Sequence, residues 1–488
     1  MEEFTGSATS PISTDIGSVP VIPQATVEEV PEFLMLDHEC EISYDHKLTP
    51  PQLRGGTLTG LVEQLTRHDR LDPAFDNIFL LTYKTFTTAS ELFEMLVKRW
   101  SIQPPYRLAK EDYRTWVDRK KKPIRFRVVN ILKSWLDNYW IEGNDDDTRI
   151  LIQRVYNFVK GRVATTSTPG AAPLMILVEQ RSRGSDMPTK RLTLTLNTQM
   201  PQPILPKRMK KLKFLNIDPT ELARQLTIIE SRLYGKIGPT ECLNKAWQKK
   251  LAPGEPDPAA NVKALILYLN QLTNWVAQMI LTQQDVKRRV IVIKHFVNVA
   301  DKCRLLNNFS TPNMIMSALE TAPIYRLNRT WSAVNAQSMA TLENMRKVIG
   351  NRKGFAVYRD TLRKANPPCI PFFGVYLANL TYIEDGIPSF IKKTNLVNFA
   401  KRAKTAEVIR DIQQYQNVPY LLQPVPELQD YILTNMQSAG DVHNMYDTSL
   451  QIERVSVKTR RLQGTGGPYM QIAHVTDANG LPQTSFRV

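Results

Sequence analysis

Cysteine is scarce in this chain of 488 residues, and Cys40, Cys242, Cys303 and Cys369 never form a CxxC pair. That spacing argues against a disulfide framework and a zinc site, and fits reduced thiols. The six histidines are scattered and no HExxH occurs, so neither a metal nor a cofactor of the chain's own is expected. No run approaches the roughly 18 apolar residues of a membrane span. The opening MEEFTGSATSPIS lacks the regions of a secretory signal, and the closing TSFRV carries no prenylation or retention signal. A cytoplasmic location is the expectation. Chemical motifs are missing too. GxxxxGK[ST], GxSxG and kinase signatures are absent, and GKIGPTE has the wrong spacing for a phosphate loop. The expectation is function by shape and binding, without bond making.

Lysine and arginine are absent from positions 1–46, which hold ten Asp or Glu. The net charge of the whole is +16, so the remaining chain carries +26. A basic body suits nucleic acid, an anionic membrane surface or an acidic protein. Nucleic acid ranks last, because the basic residues are dispersed and no base-stacking aromatics interleave with them. Dispersed charges also simply solvate helix faces.

The Ser-, Pro- and acid-rich residues 1–50 read as a disordered tail. From there helical spacing takes over. Leu58, Leu61, Val62 and Leu65 form one apolar stripe, and Leu92, Phe93, Leu96, Val97 and Trp100 a second, with Ser90 as its cap. Val128, Ile131, Leu132, Trp135 and Tyr139 form a third. These predict a helical domain over 51–160. Residues 161–213 read as a linker in which LMILVEQ and RLTLTLN form two short strands and a Lys/Arg cluster at 207–213 closes the segment. A second domain, 214–456, opens at Asp218 as N-cap, with Pro219 in the first turn and Glu221 completing a capping box. Helices are expected over 261–281, 285–306, 311–321, 337–349 and 354–365, and a flexible tail over 457–488. The fold class is all-α: two helical domains, the second bearing a protruding helical hairpin.

That hairpin comes from PPCIPFFGVYLANLTYIEDG, residues 367–386, and the amphipathic segment after it. Tyr376, Leu377, Leu380 and Ile383 form one apolar face, and Gly386 and Pro388 end the helix. Leu396, Phe399, Ala400, Ala403, Val408 and Ile412 line the inside of the second helix, with Lys401, Arg402, Lys404 and Arg410 outside. The tip, near 384–393, is expected to stand clear of the body. Packing alone accounts for such a hairpin equally well.

PPCIPFFGVYLANLTYIEDG followed by VNFAKRAKTAEVIRDIQQYQNVPY resembles the catalytic domain of Ras-type guanine-nucleotide exchange factors. IDPTELARQLTIIESRLYGKI, NVKALILYLNQLTNWV, RRVIVIKHFVNVADKCRLLNNFSTPNMIMSAL and APIYRLNRTW agree, in the family's order. The first domain, from GGTLTGLVEQLT to FLLTYKTFTTASELFEMLVKRW, is similar to the N-terminal Ras exchanger motif. The combination resembles the son-of-sevenless and fungal Ras exchange-factor group.

The resemblance implies that the hairpin is a wedge that opens the nucleotide site of a Ras-family small GTPase, promoting GDP release and GTP loading. It places Asp385 at an acidic position that competes with phosphate, with Glu384 beside it, and Thr381 where son-of-sevenless has leucine. It implies a GTPase-receiving surface of Phe372, Phe355, Asn270, Leu267 and Glu320. Leu267 and Glu320 depart from the arginine and asparagine of son-of-sevenless. Trp135 aligns with a tryptophan of a regulatory site for a second, GTP-bound GTPase, but a tryptophan on the stripe of Val128, Ile131 and Leu132 is usually core, and the favoured role of the first domain is a brace that holds the hairpin at its angle. An adaptor that binds a GTPase without discharging it is the alternative. A weak peripheral contact with an anionic membrane face follows from the charge.

Overall fold

The computed structural model describes residues 30–143, 145–183, 200–350 and 354–454, together with strands at 472–476 and 482–486. RLTLTLN, all of residues 1–29 and most of residues 455–488 therefore lie outside the described residues. The architecture is helical, with a small three-stranded sheet at the junction of two hydrophobic cores.

The first domain contains α1 (Leu58–Leu65), α2 (Pro73–Thr82), α3 (Ala89–Trp100), α4 (Lys110–Trp116), α5 (Lys122–Asn138) and α6 (Asp146–Phe158), and all of these but α4 line its core. The three expected stripes are its interior. Threonine and aspartate caps start the helices. The Thr57 side chain accepts from the Gly60 N–H, and Asp145 accepts from Thr148. The cap of α3 is Thr88, accepting from Glu91 N–H, and the expected Ser90 lies inside the helix.

Two expectations for the flanks are corrected. LMILVEQ belongs to a helix, α7 (Ala171–Ser182), and its Leu174, Leu177 and Val178 enter the first core at helical spacing. Five apolar residues in a row fit strand and helix alike, and the packing against α5 and α6 decides. Nor are residues 30–50 wholly a tail. Strand β1 (Ile42–Asp45) pairs antiparallel with β2 (Gln52–Gly56), and Leu34 is buried. Asp37 bonds Lys120 Nζ at 2.6 Å and Arg99 at 3.4 Å, which ties this stretch to two basic residues the first domain buries.

The second core is larger. It comprises α8 (Pro219–Tyr234), α9 (Ala260–Leu281), α10 (Val286–Leu305), α11 (Ser310–Glu320), α12 (Ala322–Tyr325), α13 (Asn328–Ser332), α14 (Ala336–Ile349), α15 (Ala356–Lys364), α16 (Phe373–Gly386), α17 (Phe399–Gln414), α18 (Pro426–Gln437) and α19 (Tyr446–Ile452). The five helices expected from periodicity appear within two residues of their predicted ends. Asp218 caps α8 by accepting from Thr220 N–H at 2.8 Å. Glu221 does not complete the box; it is buried and accepts from the Ile204 N–H at 2.9 Å and from Gln225 at 2.7 Å. The segment before α8 needs a buried acceptor there, and Glu221 supplies it.

The chain end is fastened by a buried pair, Arg289 to Glu453 at 3.1 Å, while Arg326 donates to Ser449 O and Glu453 O. Beyond it, β4 (Ile472–Thr476) and β5 (Pro482–Phe486) pair antiparallel in the region expected to be a flexible tail.

Candidate functional site

The hairpin is α16 and α17, and its start is shaped by two aromatics meeting Tyr358. The Phe372 N–H donates to the Tyr358 hydroxyl at 2.7 Å, and the Phe355 ring lies 6.2 Å from that of Tyr358. A Cβ on Gly374 would fall 2.5 Å from the Phe372 ring, so only glycine lets that ring fold over the helix start. Phe355 sits at φ 63°, a left-handed conformation rare for an aromatic. Both rings are buried, at 8% and 7% exposure, and offer at most an edge to a partner.

Along α16, Tyr376, Leu377, Leu380 and Ile383 face inward as expected. The opposite face carries Thr381, Tyr382 and Asp385 at i, i+1 and i+4. Tyr382 is 76% exposed and was not singled out from the sequence, although helical spacing opposite Leu380 and Ile383 places it there. The Thr381 hydroxyl donates to Leu377 O at 2.8 Å, so its methyl is the group left to point outward.

The two carboxylates have different environments. Asp385 is exposed and pairs with Lys245, which follows the short helical turn at Pro239–Cys242 and has left-handed backbone. Glu384 turns inward to Lys401, whose Nζ lies 2.9 Å from its carboxylate and 3.2 Å from both its carbonyl and Ser389 Oγ. Lys401 and Arg402, expected outside, are 1% and 2% exposed. Their stems cover apolar surface, and their heads are held by Glu384 and by Thr85 O, the latter at 3.3 Å. Burial lowers the Arg402 pKa, and the charge of Glu384 opposes that shift.

Glu384→Ala removes a charged partner from a buried lysine and is expected to destabilise the hairpin by about 3–5 kcal/mol. Thermal unfolding checks it; an unchanged transition would show that Ser389 and the carbonyl suffice.

The remaining predicted positions lie on neighbouring elements. Leu267, 52% exposed, and Asn270, one turn later, share an outward face of α9. The half-buried Asn270 side chain has no hydrogen-bond partner among the described residues, whereas Asn274 is taken up by the Val442 N–H. Glu320 ends α11 and bonds Arg346 of α14 at 2.9 Å. Helices α9, α11, α14 and α15 pack in succession, and Tyr358 of α15 meets Phe372. Trp135 is elsewhere. It is fully buried in the first core, 5.8 Å from the Tyr83 ring and 5.3 Å from Trp140.

The far end of the hairpin does not stand clear. Strand β3 (Val397–Asn398) joins β2, pairing Gly56 with Val397 and Gly55 with Asn398. Val397 and Phe399 enter the first core, where Phe399 stacks on Phe75 at 4.6 Å. A Cβ on Gly55 would lie 2.2 Å from Val397 O, a backbone atom with no room to yield. The hairpin thus bridges both cores.

Comparison with known proteins follows this division. The RasGEF domain matches residues 221–403, and the RasGEF N-terminal motif matches 52–158. The chain belongs to the RasGEF family. It is 38% identical over 429 residues to cell division control protein 25 of Candida albicans, covering 87% of this chain and 32% of that protein. Identity to cell division control protein 25 of Saccharomyces cerevisiae is 34% over 477 residues, 92% of this chain and 30% of that protein. The Ras guanine nucleotide exchange factor efc25 of Schizosaccharomyces pombe is 33% identical over 407 residues, 82% of this chain and 40% of that protein. The chain therefore spans about a third of the length of the relatives it matches. The RasGEF match ends at 403, inside α17, yet the fold continues to the Arg289–Glu453 pair.

Proposed function

We propose that this chain accelerates guanine-nucleotide exchange on a Ras-family small GTPase by presenting the outer face of α16 to the nucleotide site. The observation that carries it is Asp385: an exposed carboxylate on the first helix of a hairpin that reaches both cores, in a RasGEF-family chain. No bond is made or broken. A surface that binds the nucleotide-free GTPase better than the loaded form must, by linkage, weaken nucleotide binding by the same factor. Negative charge placed near the phosphates supplies part of that difference. Leu267, Asn270 and Tyr382 offer apolar and hydrogen-bonding contacts to the same partner. The edges of Phe355 and Phe372 border that surface, and Glu320, held by Arg346, marks its far side.

The direct test is loss of labelled GDP from purified Ras-like, Rap-like and Ral-like GTPases on adding the full chain. Acceleration of at least one supports exchange. Tight binding without release identifies the adaptor reading, which the departures at Leu267, Glu320 and Thr381 favour. Asp385→Asn is expected to slow exchange ~10-fold, about 1.4 kcal/mol. It should leave the melting temperature within error, because the exposed pair with Lys245 is worth about 0–1 kcal/mol. An exchange rate equal to the parent's would remove the charge-competition role.

Two further partners are part of this reading. A second, GTP-bound GTPase at the domain junction needs contacts other than Trp135, which presents no surface. An anionic membrane face attracts a body carrying +26. Among the described residues, no helix is long and apolar enough to cross a membrane.

A further inference from the structure

The segment before α8 carries an unusual concentration of unpaired charge. From Met187 to Ile217 there is no Asp or Glu, and Lys207, Arg208, Lys210, Lys211 and Lys213 fall within seven residues. All five are exposed, and none of the five side chains makes an ion pair or hydrogen bond among the described residues. Glu221, the carboxylate bonded to this segment, is buried and already shared among the Ile204 N–H, Arg224 and Gln225. It does not neutralise them.

The backbone here is not a loose tether. Gln202 O accepts from Arg224, Met209 and Leu212 pack on the second core, and Phe214 is buried 4.6 Å from the Phe296 ring. Apolar residues turn inward and cations outward along one anchored strip. At its two ends, Leu205 and Leu215 remain 55% and 46% exposed. The strip's only aromatic is the buried Phe214, so nothing is displayed on which a base could stack. Cations flanked by exposed aliphatic side chains match the interfacial zone of a bilayer, which takes charge at the headgroups and leucine just below.

We propose that residues 204–215 form a membrane-docking strip specific for anionic phospholipid headgroups. It localises the membrane attraction proposed above and is independent of the exchange reading. Docking there fixes a rigid face of the second domain to the bilayer, because Phe214 and Ile217 tie the strip to the core.

The test is co-sedimentation of the full chain with phosphatidylcholine vesicles, with and without about 30% phosphatidylserine. The parent is expected to bind only the anionic vesicles, and less at high salt. At a factor of roughly 5 per cation, Lys210→Glu/Lys211→Glu/Lys213→Glu should weaken binding ~100-fold or more. The control Arg114→Glu/Arg119→Glu/Lys133→Glu changes the net charge equally on exposed residues of the first domain. It should lose far less. Leu205→Ser/Leu215→Ser should weaken binding at unchanged charge. Equal losses in strip and control variants would assign the binding to diffuse charge and overturn the proposal. So would equal binding to neutral vesicles, or a strip variant that loses single-stranded RNA binding while keeping vesicles. Exchange on a soluble, unlipidated GTPase should be unchanged in the strip variant. Its loss with an unchanged thermal transition would give the strip to the GTPase instead.

Discussion

Gly55→Ala is expected to slow exchange at least ~10-fold, about 1.4 kcal/mol, although Gly55 lies in the first domain and touches no nucleotide. The added methyl would meet Val397 O at 2.2 Å, so β2 and β3 must part. With them parts the anchor of the hairpin's far end. Phe399→Ala attacks the same joint from the other side, removing the ring stacked on Phe75 from the first core. Loss of a buried phenylalanine costs about 3–5 kcal/mol. Both substitutions should leave affinity for the hairpin's partner less affected than the rate, because the α16 surface survives while its angle is lost. Separate measurements of nucleotide-free GTPase binding and GDP release distinguish these. If each variant releases GDP at the parental rate with the joint shown open by hydrogen exchange at β3, the hairpin holds its angle without the first domain.

That joint was not legible in the sequence, and the reason is instructive. Periodicity assigns residues by their own polarity, so Lys401 and Arg402 read as an outer face. Their partners are Glu384, across the hairpin, and Thr85 and Phe86, in the other domain. No local pattern announces a pairing of such sequence separation. The same holds for Lys245 against Asp385 and for the β2–β3 contact. Helix interiors were legible because their apolar spacing is local: the stripes through Leu61, Leu96 and Leu132 are core as read. LMILVEQ failed for lack of polar residues within the run to reveal a period. The face of α16 was readable as Leu377, Leu380 and Ile383 inward, which leaves Tyr382 and Asp385 outward by default. Which of them meets a basic residue in the free chain was not.

Trp135→Glu is expected to unfold the first domain, with a loss of more than about 4–5 kcal/mol. The indole is fully buried, edge-on to Tyr83 and against Trp140, on the α5 stripe of Val128, Ile131 and Leu132. A carboxylate there leaves water without a cationic partner and replaces a large ring with a small, charged group. The consequence reaches the second GTPase site. Failure of GTP-loaded, exchange-incompetent GTPase to stimulate Trp135→Glu would report a collapsed domain and an unbraced hairpin, not a missing contact. Stimulation therefore has to be compared between the parent and a variant that keeps its fold. Exposed residues of the first domain, such as Phe126 or Tyr113, supply one. Near-ultraviolet circular dichroism and thermal unfolding of Trp135→Glu decide the premise. A cooperative transition at the parental temperature, with the aromatic signal retained, would mean that the indole is dispensable to the core.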